Sequence, residues 1–414
     1  MAQAWRVLIA VCIIYFITAG TVYFGISVVM KPLIADMGWT RAQATSGITM
    51  LMLATGLLGP LVSTLIDRFD IRNTVLIGAV CVALGSASAY ATAGLVHYYL
   101  SLALLGFGAS AMTFIPLSQL VARWFVRRRG LAMGMLLTSA GLGAFVMTPF
   151  LALVLEYTGS WRMLFAIMGA TAPLSAILAF LLLRNHPASK AEVDAGRADA
   201  GQQATRKTKV YQSSADWDLK DALRVKSLWL IIAAFATCVL GVNLINSQVV
   251  LHLTDMGIGQ VMAGSAVGTM GLCSAAGRLG GGILGDRIEP KFLLAMGLLF
   301  QAAGFVTLLF ADRDALVYGF ALIFGIGYGL SIVNAPLMLA NYFGTGSLAR
   351  INATTGIFTI GVTAFAPTIA GYASDTLGSY TLVFLSFSTL AALLAVPVAL
   401  LKPPMPTQSA VPAP

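Results

Sequence analysis

Twelve apolar runs, each long enough to cross a bilayer as a helix, leave this chain little choice of environment. They lie at about 7–30, 44–66, 73–95, 97–121, 130–154, 162–183, 227–251, 260–284, 291–310, 315–339, 351–373 and 380–401. A helix of about 20 apolar residues crosses a hydrocarbon layer about 30 Å thick. Within that layer each peptide N–H and C=O must be satisfied inside its own segment, so the runs read as transmembrane α-helices. Of the 414 residues, 58% are hydrophobic and only 10% are charged; a water-soluble chain carries about a quarter. The expected fold class is an all-α membrane protein of twelve spans.

The charged residues organise these spans. A polar segment at 184–225, rich in Lys, Arg, Gln and Ser, separates six spans from six. The expected domains are therefore a six-helix bundle at 1–183, a cytoplasmic linker at 184–225, a second bundle at 226–402 and an unstructured tail at 403–414. The linker is expected to hold a short amphipathic piece near Trp217–Leu223. The net charge of +9 would suit nucleic acid, but the basic residues sit in short loops between apolar runs. That is the orientation signal of a membrane protein. With both termini cytoplasmic, 20 of the 25 Lys and Arg face the cytoplasm, and Lys31, Arg41, Arg162 and Arg313 lie outside. The remaining one, Arg278, falls within a span. No A-x-A-like cleavage site follows a short core near the start, so the first run is read as a retained helix. Cys12, Cys81, Cys238 and Cys273 each fall in an apolar run and read as small hydrophobes.

The two halves echo one another. Asp67-Arg68 recurs as Asp286-Arg287, and Gly106-Phe-Gly108 recurs as Gly325-Ile-Gly327 at the same offset along the chain. Ala122-Arg-Trp-Phe125 recurs as Ala340-Asn-Tyr-Phe343 at almost that offset. Repeats separated by six spans share one orientation, and such an arrangement puts a binding site near the midplane between two bundles.

Arg278 sits in Gly271-Leu-Cys-Ser-Ala-Ala-Gly-Arg-Leu-Gly-Gly-Gly282, otherwise apolar or small. An arginine at the bilayer centre costs about 2.5–3.5 kcal/mol on insertion scales. No Asp or Glu lies in the apolar part of any span, so a small anion from solution is the expected partner. A guanidinium meets a carboxylate with two parallel hydrogen bonds. Snorkelling towards the cytoplasmic surface is the competing role. Gly271, Gly277 and Gly280–Gly282 are expected to favour close helix packing.

Across nearly its whole length the chain resembles the major facilitator superfamily. Ser63-Thr-Leu-Ile-Asp67-Arg68-Phe-Asp70-Ile-Arg72 is similar to that family's loop 2–3 motif, with Ser63 and Asp70 standing where glycines are usual. The resemblance implies conformational, gating roles for Asp67, Arg68, Asp286 and Arg287. Arg123-Trp-Phe-Val-Arg127-Arg128-Arg129-Gly-Leu-Ala-Met-Gly134, with Ser139-Ala-Gly-Leu-Gly143, is similar to the signature of monocarboxylate transporters and bacterial oxalate/formate carriers. Met30-Lys31-Pro through Trp39-Thr-Arg41 resembles the loop after helix one of the bacterial group. Arg127–Arg129 would either anchor to anionic head groups or take part in gating.

That resemblance gives Arg278 the place of a helix-eight arginine that holds the substrate carboxylate. Two departures bear on the cargo. Oxalate exchangers of the family add a lysine in helix eleven, whereas Gly356 through Pro367 contains no basic residue; one buried cation favours a monoanion. Animal carriers have an Asp one turn before the arginine, where this chain has Ser274, and a Lys within helix one, where Lys31 stands only at the span's end. These departures leave the family's proton relay without its usual residues, while proton symport stays open if the bound substrate favours a protonated state or arrives as the neutral acid. Tyr328, Ser331 and Asn334 of helix ten, Tyr23 of helix one, Asn243 and Asn246 of helix seven and Phe114 of helix four are the further candidate binding residues. For each, interhelical hydrogen bonding or packing is the competing role.

The expected function is secondary transport of a small monocarboxylate, lactate- or pyruvate-like, by alternating access with a proton. Organic-anion exchange of the oxalate/formate kind is the alternative, and a non-transporting sensor the third reading. His97, His186 and His252 are scattered near span ends, and the spans hold no paired carboxylates or nucleophile–base set. No enzyme activity, metal, cofactor or nucleic acid is therefore expected. The expected setting is a bacterial inner membrane, with the carrier working as a monomer.

Overall fold

Apolar runs with few helix breakers become helices wherever the backbone has no water to bind, and this holds along the chain. The computed structural model describes residues 2–125, 129–185, 210–211, 213, 217–285, 287–344 and 348–404. Among them the regular elements are all helical. The first six spans are built from α1 (Ala2–Thr18), a π segment (Ala19–Phe24), α2 (Ile26–Met37), α3 (Arg41–Leu57), α4 (Gly59–Tyr90), α5 (Leu95–Met112), α6 (Phe114–Trp124), α7 (Arg129–Thr158) and α8 (Trp161–Leu182). The short α9 (Leu219–Leu223) precedes α10 (Lys226–Asp255), α11 (Gln260–Gly285), α12 (Pro290–Leu309), α13 (Asp314–Phe343), α14 (Leu348–Thr363), α15 (Ala366–Leu377) and α16 (Thr381–Ala399).

Ten helical segments among the described residues are long and apolar enough to cross a membrane. Two spans fall below that line for visible reasons. Span two begins as α3, only 17 residues long, and continues into α4 past Leu58. Span eight is α11, diluted by glycine and serine and carrying Arg278.

The boundary between spans two and three lies inside α4, at Asp70. Its backbone has φ 70° and ψ 164°, the sole positive φ of a non-glycine residue among those described. That region belongs almost wholly to glycine and costs a side chain about 1–3 kcal/mol. The turn is held from both sides. The Thr74 hydroxyl donates to the Asp70 carbonyl at 2.8 Å, and the Arg72 backbone N–H donates to Asn185 Oδ1 at 3.0 Å. The Arg72 guanidinium lies 4.4 Å above the Phe180 ring and donates to the Phe180 carbonyl.

Three other spans are interrupted along their length. Span one contains the π segment with Tyr23. Span four breaks at Thr113 (φ −118°, ψ −133°), and span eleven breaks at Ala364–Phe365. Pro116 and Pro367 follow the latter two breaks closely and occupy the first turn of the next helix. A proline is tolerated there because its missing N–H has no intrahelical acceptor to lose.

The chain groups into two compact units. The first comprises Met1–Arg206, Ile245–Leu272 and Pro367–Gly378; the second comprises Lys207–Leu244, Cys273–Ala366 and Ser379–Pro414. Spans in the first unit approach closely through glycine: a Cβ on Gly143 would stand 2.2 Å from the Phe16 carbonyl oxygen. In the second, Phe305 gathers Phe324, Phe384 and Phe387 within 4.5–5.4 Å between ring centres.

The described part of the linker packs the apolar side of Trp217–Leu223 against the protein. Trp217 is only 1% exposed and meets the Phe343 ring edge-on at 5.5 Å, while Tyr211 meets Tyr342 at 5.7 Å. Backbone N–H groups of Ser213 and Trp217 donate to the carbonyls of Asn341 and Phe343, and that of Tyr211 donates to Glu289 Oε1. The aromatic face was legible as amphipathic, but its partner is the end of α13. Residues 186–209 and 405–414 lie outside the described part.

Candidate functional site

Arg278 is placed by a glycine seam. A Cβ on Gly329 of α13 would stand 2.3 Å from the Ser274 carbonyl oxygen, 2.8 Å from the Arg278 nitrogen and 2.8 Å from Gly277 Cα. A Cβ on Gly277 would meet the Ile326 carbonyl at 2.6 Å. Only glycine permits this backbone-to-backbone approach, and it draws α11 against α13 where the arginine leaves its helix. Gly281 and Gly285 extend the seam against Asn334, whereas Gly280 and Gly282 meet nothing within 4 Å. The expectation that the whole glycine run packs is thus corrected: one face packs, because successive residues point about 100° apart.

Arg278 is 8% exposed, and its guanidinium carbon lies 5.4 Å from the centre of the Tyr328 ring. A desolvated cation over an aromatic face is attracted by about 2 kcal/mol. Ser331, one turn beyond Tyr328, is fully buried and accepts a hydrogen bond from Gln301 Nε2 at 3.2 Å. Asn334 is also fully buried; its Nδ2 donates to the Leu330 carbonyl at 2.8 Å, and its Oδ1 has no hydrogen-bond partner. Ser274, one turn before Arg278, is 2% exposed with an unpartnered hydroxyl oxygen. Four candidates (Arg278, Tyr328, Ser331 and Asn334) therefore share the α11–α13 region of the second unit.

One residue joins this group that the sequence reading passed over. Gln301 of α12 is completely buried, and its Oε1 lacks a partner. A polar residue in the middle of the apolar run 291–310 was the available signal. Outside this group, Thr359 of α14 is 3% exposed and holds a hydroxyl oxygen without a partner. Asn243 plays a different part: its Nδ2 donates to the Thr363 carbonyl at 3.4 Å, beside the break in span eleven.

The remaining binding candidates belong to the first unit. The Tyr23 hydroxyl lies 3.5 Å from the Thr113 hydroxyl, linking the π segment of span one to the break in span four. Phe114, the next residue, is 44% exposed. Asn246 is 4% exposed, with an Oδ1 that no partner reaches. Of the gating candidates, Asp67, Arg68 and Arg287 are exposed, and Arg68 lies 5.3 Å from the Phe69 ring centre. Asp286, Arg127 and Arg128 fall outside the described residues, as does the side chain of Arg129. Among the described residues no group of three or more His, Cys, Asp or Glu could hold a metal ion.

Comparison with known proteins agrees with this architecture. The family model described as Major Facilitator Superfamily matches residues 11–359 and 238–414. Monocarboxylate transporter 13 of Bos taurus is 28% identical over 328 residues, covering 78% of this chain and 72% of its own. Monocarboxylate transporter 11 of Mus musculus is 26% identical over 377 residues, covering 86% and 78%. An uncharacterized MFS-type transporter of Escherichia coli K12 is 24% identical, covering 84% and 82%. Among solved structures, a D-xylose-proton symporter matches with a TM-score of 0.70 at 14% identity, over 95% of this chain and 97% of its own. The chain belongs to the Major Facilitator Superfamily, an all-α family of membrane transporters, and is a transporter and not an enzyme.

Proposed function

We propose that this transporter carries small monocarboxylates of the lactate and pyruvate kind by alternating access, with Arg278 receiving the carboxylate. The observation that carries this reading is a nearly buried guanidinium beside Tyr328, on a helix seam that also holds Asn334, with Ser331 of the same helix turned to α12. A carboxylate satisfies a guanidinium with charge-assisted hydrogen bonds, and the tyrosine and amide groups suit a hydroxyl or keto oxygen. Relatives bearing the name monocarboxylate transporter support the substrate class. Span eleven adds no second cation, so charge balance favours one carboxylate over two.

Tyr23, Phe114, Asn243 and Asn246 complete the proposed lining, with Asp67, Arg68, Asp286 and Arg287 in conformational roles. Two six-helix bundles, 1–183 and 226–402, would supply these residues, with both termini on the cytoplasmic side of a bacterial inner membrane and the monomer as working unit. A proton accompanies the anion in this reading. Organic-anion exchange is the second reading, and Ser274 favours it, because a serine hydroxyl does not exchange a proton at neutral pH as a carboxylate does.

Uptake of labelled lactate, pyruvate, acetate and oxalate into proteoliposomes, with and without an inward proton gradient, separates these readings. Lactate or pyruvate should move fastest and the gradient should accelerate uptake. Trans-stimulation by internal acid without pH dependence would favour exchange, and preference for oxalate would overturn the charge argument.

A further inference from the structure

We infer that Tyr23 is an acceptor-only phenol that selects a 2-hydroxy acid over a 2-oxo acid. The inference rests on the reading that Tyr23 lines the binding region of a monocarboxylate carrier, and it names which members of that class are preferred.

Span one exposes this phenol and little else around it. From Ile17 to Met30 every residue is buried except Tyr23, which keeps accessible surface. The π segment sets its direction: the Gly25 backbone N–H donates to the Gly20 carbonyl, five residues back, at 2.9 Å. Such a turn holds one residue more than an α turn, so side chains beyond it are rotated relative to those before it. Gly20 lets the widened turn lie against α7, since a Cβ there would stand 2.5 Å from the Gly143 carbonyl oxygen.

The hydroxyls around the phenol have already committed their protons. Each hydroxyl has one proton to donate and two lone pairs with which to accept. Thr113 donates to the Ala109 carbonyl at 2.8 Å. Thr55 of α3 is also within hydrogen-bonding reach of Tyr23. Its proton is shared between the Leu51 carbonyl at 2.8 Å and the Gly106 carbonyl at 3.1 Å. Ser110 of α5 donates to the Thr55 carbonyl at 3.0 Å. Thr113 and Thr55 can therefore offer Tyr23 only lone pairs. In the Tyr23–Thr113 contact, 3.5 Å between oxygens, the phenol is the donor.

The phenol's own lone pairs are left for a ligand, and they can meet only a donor. The 2-hydroxyl of lactate is a donor; the keto oxygen of pyruvate is not, and propionate has no oxygen at that place. To pair with a keto oxygen, Tyr23 would have to turn its proton away from both threonines. The net contribution of one neutral hydrogen bond corresponds to about a two- to tenfold difference in affinity. Thr113 and Thr55 are positioning residues in this account, since they act through the phenol.

The test measures KM for labelled lactate, pyruvate and propionate in proteoliposomes. In the wild type the lactate KM should lie about two- to tenfold below that of pyruvate. Y23F removes the acceptor and should bring lactate to the KM of propionate. T55V/T113V frees the phenol proton for the ligand and should lower the pyruvate KM until the lactate preference is lost or reversed. T55S/T113S, which keeps both hydroxyls, should retain the preference. Propionate uptake uses no 2-oxygen and reports whether each variant is folded; if T55V/T113V fails there, T113V carries the comparison. A lactate-to-pyruvate KM ratio unchanged by Y23F would overturn the assignment of Tyr23, and one unchanged by the valines would overturn its acceptor-only role. Equal KM values for the three acids in the wild type would overturn the inference and leave the carrier reading standing. Uptake of none of them would overturn that reading as well.

Discussion

The Arg278 backbone nitrogen lies 2.8 Å from where a Cβ on Gly329 would stand. The arginine that is proposed to receive the substrate is thus positioned by a glycine on a different helix. G329A should force α13 and α11 apart, because the nearest atoms are backbone and cannot rotate away. Overpacking of this kind costs about 1–3 kcal/mol. A thermal-shift assay in detergent should show a lower Tm, and uptake should fall with it.

Asp70 makes the opposite prediction. Its backbone sits at φ 70° and ψ 164°, in a region that glycine enters without strain. D70G relieves about 1–3 kcal/mol of strain while losing about 0.4–1 kcal/mol to the freer unfolded chain. Net stabilisation and a raised Tm are expected, with the Arg72–Phe180 contact retained. A lowered Tm would show that the Asp70 side chain contributes more than its backbone costs.

Gln301 is the test of whether α12 supports the site. Q301L keeps the volume but removes the hydrogen bond to Ser331, a contribution of about 0.5–1.5 kcal/mol. The expected effect is a few-fold rise in KM with little change in maximal rate, measured by uptake kinetics. Equal loss of both affinity and fold stability would assign Gln301 to packing alone.

Much of the architecture was legible because lipid imposes its own rules. Apolar runs long enough to span have one backbone solution in hydrocarbon, and a lone arginine among them is conspicuous. Less legible was whatever depends on which neighbour a residue meets. The stretch at Trp217 read as amphipathic, but only the structure gives it Phe343 as its partner. The glycine run 277–282 read as uniformly small, yet packing selects Gly277 and Gly281 and leaves Gly280 and Gly282 open. Asp375 carries no signal of its own in the sequence; its carboxylate caps the start of α3, far away along the chain, and no local pattern encodes such a pairing. Asp70 was visible as a departure from a family glycine, and its left-handed backbone gives that glycine a physical cause.

The central claim is that Arg278 holds a single carboxylate, and paired uptake measurements on wild type, R278K and R278Q test it most directly. Charge-assisted hydrogen bonds contribute about 1.5–3 kcal/mol, so R278Q should raise the KM for lactate about 10–100-fold. R278K, which keeps the charge but not the planar fork, should fall between. Wild-type KM and flux for lactate in a folded, membrane-inserted R278Q would contradict the account.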